Sequence, residues 1–200
     1  RGAAAGFAAA AGWTREGFLK RLGGTELRPG AWWRWAARRR APAAATLQAF
    51  VQGLGHGAAL GPGPRPYAFE TPVGAARERV AEEVPVFSPA LLREIAVLRP
   101  PQVVVGAAGA GAPAHSHFAA ANALIVGTKR WLLVPPPDVA WSVRPPLLAG
   151  GAGGAGAGIE VEQHAGDILF VPEFWGHSTA LLSDCVAATY EFVPRSSLWS

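Results

Sequence analysis

From residue 101 onward the chain is cut by Gly and Pro into short apolar or alternating runs, and this punctuation constrains the fold more than any other feature. The runs are Gln102–Val105, Leu124–Val126, Arg130–Val134, Ile159–Gln163, Asp167–Val171 and Cys185–Val193. Each has the length of a strand rather than of a helix, and turn residues separate them at every step. Many short strands joined this way predict a β-sandwich or barrel. Gly127-Thr128, lying between two such runs, reads as a hairpin turn.

The regions before it have another character. Residues 1–60 read as helical. Thr14 is a capping candidate, and Phe18, Leu19 and Leu22 recur on one face before Gly23-Gly24 stops the helix. A second helix is expected over Thr46–Leu54. Residues 61–100 are rich in Pro and connect: Tyr67–Glu70 alternates like a strand, Val73–Val84 reads as a short charged helix and Pro89–Leu98 as another. The domain expectation is therefore one unit over 1–200. It has helical support in 1–60, a connecting region in 61–100 and a β core in 101–193.

Composition bears on how these signals are weighed. The chain has 41 Ala and 25 Gly, 16 Arg against two Lys, one Asn and no Met. This bias has the mark of GC-rich coding, so Ala/Gly runs and Arg excess need no ligand to explain them. The Ala149–Gly158 segment, all Ala and Gly, reads as a mobile loop between strands. Absence of Met leads to the expectation of a mature form or a fragment. No run of about 18 apolar residues lacks charge and repeated Gly/Pro, which argues against a transmembrane helix. A single Cys, Cys185, excludes an internal disulfide and a Cys-cluster zinc site. Cys185 itself reads as a small, buried, inert strand residue. The net charge of +4 is concentrated in the Trp/Arg segment 32–40. A solvated Arg face on a packed Trp face accounts for that segment, and nucleic-acid binding is disfavoured.

Three of the five His fall at informative places. His115 and His117 are two apart, so on a strand both imidazoles face one way. His177 follows Asp167-Ile-Leu-Phe-Val-Pro172-Glu-Phe-Trp175-Gly176. Two donors from one strand and a third from a distant one can occupy one face of a metal and leave the others open. Imidazole suits Fe, Zn, Cu and Ni alike, so ligand type alone does not choose the ion. On spacing alone, a chance His-x-His pair and a packed core His remain open. His164 reads as a surface residue, His56 as part of a Gly-rich turn and Asp167 as a turn residue that bonds local backbone.

Taken in order, His115-Ser-His117, Asn122, Gly127-Thr128-Lys129-Arg130-Trp131, Pro135-Pro136, Gly166-Asp167-Ile168-Leu169-Phe170-Val171-Pro172 and Trp175-Gly176-His177 resemble the JmjC/cupin-like family. The resemblance spans about residues 101–193. It implies a mainly β fold, a double-stranded β-helix or jelly roll, with N-terminal helices packed on it. In active relatives it implies Fe(II), 2-oxoglutarate as cosubstrate, and hydroxylation or demethylation of a protein side chain. By position, His115, His117 and His177 match metal ligands. Lys129 matches a lysine that binds the distal carboxylate of 2-oxoglutarate, and Asn122 matches a polar residue near it.

Two departures stand out. His117 replaces the acidic ligand of the active pattern, which raises the charge at the metal by one unit and bears directly on 2-oxoglutarate use. Gly176 stands where a second Trp is common. The His-x-His version is similar to a small JmjC subgroup whose animal members are assigned to the endoplasmic reticulum lumen. The expected function is an Fe(II)/2-oxoglutarate oxygenase of protein-hydroxylase type, acting on a protein or peptide. The alternatives are a non-catalytic JmjC-like module, and a three-His cupin isomerase or dioxygenase without 2-oxoglutarate, which requires Lys129 to point out of the barrel.

Overall fold

The computed structural model describes residues 2–26, 46–54, 67–86, 94, 96–138 and 158–195. In chain order the elements are α1 (Ala8–Gly12), α2 (Arg15–Leu22), α3 (Leu47–Leu54), β1 (Tyr67–Glu70), α4 (Ala75–Glu83), β2 (Ala96–Leu98), β3 (Gln102–Gly106), β4 (Ala119–Val126), β5 (Thr128–Val134), β6 (Ile159–His164), β7 (Ile168–Val171), β8 (Gly176–Leu181) and β9 (Cys185–Pro194). The strands form two antiparallel sheets. One has the order β1-β3-β9-β4-β7, with β2 paired to the far end of β9; the other is β6-β5-β8. This is the jelly roll that the resemblance implies, within the sandwich or barrel class that the punctuated sequence predicts, with helices on one side.

Register partners in antiparallel strands share a face, so the register sorts the large sheet into two surfaces. Val103, Val105, Ala123, Ile125, Ala188 and Tyr190 face outward. There they pack on Trp13, Phe18, Leu22, Leu47, Val51 and Val80 of the helices and their caps. Each such aromatic or branched side chain, fully buried, contributes about 1.5–3 kcal/mol. Thr14 caps α2 by accepting from Gly17 N at 3.1 Å, as its position predicted. Tyr190 ties the sheet to α4: its hydroxyl donates to the carbonyl of Val84 at 2.8 Å, one of the carbonyls a helix end leaves unpaired. The Trp13 indole donates to Glu83, which also pairs with Arg21 at 3.2 Å, joining α2 to α4. A small cavity lined by Leu22, Thr25, Leu47, Ala68, Glu70, Pro72 and Val103 lies on this outer side.

Three expectations need correction. Gly127-Thr128 is not a hairpin: β4 pairs with β7 and β9, whereas β5 pairs with β6 and β8. Gly127, at φ 92°, instead swings the chain from one sheet to the other, and a Cβ there would lie 2.2 Å from the Asp184 carbonyl. Ala96–Leu98, expected as the end of a helix, is a strand, because its backbone finds Phe192–Pro194 as partners. The expected runs omit β8, since Gly-His-Ser-Thr-Ala-Leu has a polar centre. The Trp/Arg segment 32–40, His56 and residues 149–157 of the Ala/Gly loop lie outside the described residues. No helix among the described residues is long and apolar enough to cross a membrane.

Candidate metal centre and carboxylate pocket

The histidines are brought together by backbone pairing rather than by the period of one strand. His115 and His177 form an isolated antiparallel bridge, with N–H to O bonds of 3.0 and 2.8 Å in the two directions. Before it, the small-residue segment runs beside β8: Leu181 N donates to Ala110 O at 2.8 Å, and Thr179 N to Ala112 O at 3.0 Å. The Gly/Ala content of 106–112 thus lets the chain lie close against β8. His117 lies beyond the bridge in irregular backbone, not on a regular strand with His115. Its carbonyl accepts from Phe174 N at 2.9 Å. Phe174 has φ 61°, the one described non-Gly residue in the left-handed region. A positive φ is uncommon for a bulky residue and marks local strain. Its ring lies 5.9 Å from that of Phe118.

The three rings converge. Centroid separations are 4.2 Å for His115–His177, 4.6 Å for His117–His177 and 5.5 Å for His115–His117. Their ligand atoms lie within 4.8 Å of one another. Binding an ion draws them closer, since two nitrogens each about 2.1 Å from one metal are at most about 4.2 Å apart.

Each ring is also oriented. His115 Nδ1 is 2.6 Å from the Pro113 carbonyl, His117 Nδ1 is 2.6 Å from that of Phe118, and His177 Nδ1 is 3.1 Å from that of Trp175. A carbonyl only accepts, so each Nδ1 carries the proton and donates, and Nε2 carries the lone pair. Ligating histidines are held by this kind of outer hydrogen bond. Burial pushes His115 down to about 4 and His177 down to about 2, with the neighbouring imidazoles adding to both. Both are neutral donors at physiological pH. The donor set fits a divalent transition metal.

Deeper along the barrel, alternate residues of β5 face inward. Lys129 pairs with Leu181 and Gln163, Trp131 with Thr179 and Val161, and Leu133 with His177. Lys129 is therefore on the same interior face as His177, and only 1% of it is exposed. Its Nζ stands 4.7 Å from the centroid of the Trp131 ring, which in turn is 6.0 Å from the His177 ring. The side chain thus leans along the strand toward the histidines. Burial lowers its pKa to about 8. Among the described residues no carboxylate forms a salt bridge with it. A buried cation without a counter-ion is costly, and a bound carboxylate would relieve it.

Asn122 is also inside, opposite Thr189, to whose hydroxyl its Nδ2 donates at 2.6 Å; its Oδ1 has no hydrogen-bond partner among the described residues. Glu191 lies on the same face at the level of Ala120, paired with Arg99 at 3.6 Å. Arg99 in turn sits 5.3 Å from the Phe118 ring centroid.

Sequence reasoning missed two interior polar residues. Tyr67 faces the barrel with Phe69, and its hydroxyl interacts with the Thr179 side chain. Gln163 is 1% exposed and bonds Trp131. A polar residue in step with Ile159 and Val161 on an alternating strand was the available signal for Gln163. Asp167 serves its turn as expected, accepting from Gly2 N at 2.7 Å and His164 N at 3.1 Å. Cys185 is buried, with its thiol pushed up by burial, and His164 is exposed beside Glu162.

No family profile matches the chain. Among characterised proteins it is similar to the arginine-specific demethylase JMJ22 of Arabidopsis thaliana, at 29% identity over 122 residues, 48% of this chain and 23% of the demethylase. The chain thus spans about a quarter of that relative's length. Among solved structures it aligns with the ribosomal oxygenase YcfD of Escherichia coli at 18% identity and a TM-score of 0.37, covering 48% of this chain and 23% of that one. A variant of oxalate decarboxylase from Bacillus subtilis aligns at 17% identity and 0.38, covering 66% and 26%. An RmlC-like cupin from Shewanella frigidimarina aligns at 15% identity and 0.35, covering 50% and 70%. The chain is thus similar to JmjC and cupin proteins in part of its length, and its three converging imidazoles offer a donor set that could hold a metal ion.

Proposed function

We propose that the protein is an Fe(II)/2-oxoglutarate-dependent oxygenase acting on a protein or peptide side chain. The observation that carries the reading is one shared interior: three oriented imidazoles at its mouth, and a buried lysine without a salt-bridge partner among the described residues. When bound, the metal supplies open coordination positions for a carboxylate cosubstrate and oxygen. His115, His117 and His177 hold it through Nε2. Three neutral donors would leave the ion its full double positive charge, of which the proximal carboxylate of the cosubstrate would offset one unit while the distal one pairs with Lys129. The stronger attraction of the more positive ion for that proximal carboxylate offsets the loss of an acidic ligand at His117. Lys129 receives the distal carboxylate, and Trp131 walls the space between. Tyr67 and Asn122 line it with polar atoms.

The rim suits a protein substrate. Phe174 is 54% exposed, with Phe118, Arg99 and Glu191 beside it. The three-His reading without 2-oxoglutarate required Lys129 to point outward, whereas here it points in. The test is anaerobic titration of Fe(II)-loaded protein with 2-oxoglutarate, followed by exposure to oxygen. A visible chelate band and oxygen-dependent succinate release are expected. Metal binding with neither signal overturns the oxygenase reading and leaves a non-catalytic module.

A further inference from the structure

Gln163 lies on β6 directly opposite Lys129 of β5. Its side chain makes three hydrogen bonds inside the barrel. Oε1 accepts from the Trp131 indole Nε1 at 2.8 Å. Nε2 donates to the carbonyls of Asn122 at 2.8 Å and Asp167 at 3.1 Å. The two carbonyls take both amide protons, so the orientation of the amide follows from them: its oxygen must face the indole. The indole, anchored at its N–H end, presents its ring to the Lys129 ammonium at 4.7 Å and stands 6.0 Å from the His177 ring. We propose that Gln163 is the positioning residue of the Lys129 pocket, holding the Trp131 indole as the platform on which the lysine ammonium rests.

The chemistry explains why an amide stands here. A carboxylate could accept from the indole but could not donate to two carbonyls. It would also face Lys129 across the ladder as an internal counter-ion and take the ammonium from an external anion. A methionine of similar length fills the space but leaves the indole N–H unpaired in the interior, so the ring has no fixed seat. The inference rests on the carboxylate-pocket reading for its functional meaning, but its structural content can be measured without it.

The chain has only two lysines, Lys20 on the exposed side of α2 and Lys129. Protein labelled with ¹³C-lysine therefore gives two sets of ε-CH₂ signals. The Lys129 set is displaced by the ring current of Trp131. In Gln163→Met it should move toward the Lys20 position, and likewise in Trp131→Phe, with no further movement in the double variant. In parallel, 2-oxoglutarate is titrated into Mn(II)-loaded protein. Gln163→Met should weaken its binding about five- to tenfold, the scale of one hydrogen bond, with Mn(II) affinity unchanged. Gln163→Glu should keep the fold and abolish 2-oxoglutarate binding. Unmoved Lys129 signals in Gln163→Met overturn the proposal, as does an effect that adds to that of Trp131→Phe. If wild-type protein binds no 2-oxoglutarate, the proposed cosubstrate falls, and the lysine signals alone decide the role of Gln163.

Discussion

The six-stranded sheet turns an apolar outer face to the helices, whereas the three-stranded sheet turns Arg130, Glu160, Glu162 and His164 to water. Their inner faces differ as well. The large sheet lines the barrel mainly with Val104, Leu124 and Ala187, along with Asn122 and Thr189. The small one contributes Lys129, Trp131, Gln163, Thr179 and His177. The sheet with the larger packed core thus supports the one that carries most of the interior polar groups. A sheet with water on one side can afford no comparable core, so its polar interior is held by hydrogen bonds and by closure against its partner.

The largest test of this division is Phe18→Ala in α2. It should lower stability by about 3–5 kcal/mol by opening a cavity, read by denaturant unfolding, while metal affinity of the folded fraction stays unchanged. A comparable loss of affinity would mean that the two sheets are not separable. Next is His177→Gln, for which Co(II) titration should show at least about hundredfold weaker binding, beyond what outer-shell changes give. Third is Lys129→Met. The folded lysine titrates near 8 against an ordinary 10.5. The unfolded chain therefore binds more protons between those values, and wild-type stability should rise with pH across that window. At neutral pH the buried ammonium is a burden, so the variant should be more stable by about 2 kcal/mol and should bind no 2-oxoglutarate. Thermal unfolding at pH 7 and pH 10 checks the pH dependence and the stability gain, and titration with 2-oxoglutarate checks the lost binding; a stability loss at pH 7 would show that the ammonium has a partner. Smallest is Glu162→Ala on the wet face, expected within about 0.5 kcal/mol of wild type.

Much of this architecture was legible because it is local. The strand runs from Gln102 to Val193, the Thr14 cap and the Ala75–Glu83 helix follow from period and punctuation. The misplaced hairpin at Gly127 has a physical cause: a glycine at positive φ serves equally to reverse a strand and to cross between sheets, and only partners far along the chain choose. The three histidines could be picked out by motif order. Their convergence could not, because it depends on the His115–His177 bridge and on the carbonyls of Pro113, Phe118 and Trp175. Lys129 was legible as a candidate, but its burial over Trp131 required the β5–β8 register. Gln163 went unread because its three bonds reach β5, β4 and the following turn.

The depressed basicity of His115 and His177 has a consequence for loading. A ligand that is already neutral sheds no proton when it takes up an ion. As the proposed ligands, these two donors would enter coordination without acidifying the medium anywhere above about pH 5, so a moderately acidic medium and a neutral one would fill them alike. With respect to this pair, occupancy follows the supply of the ion rather than the acidity around it.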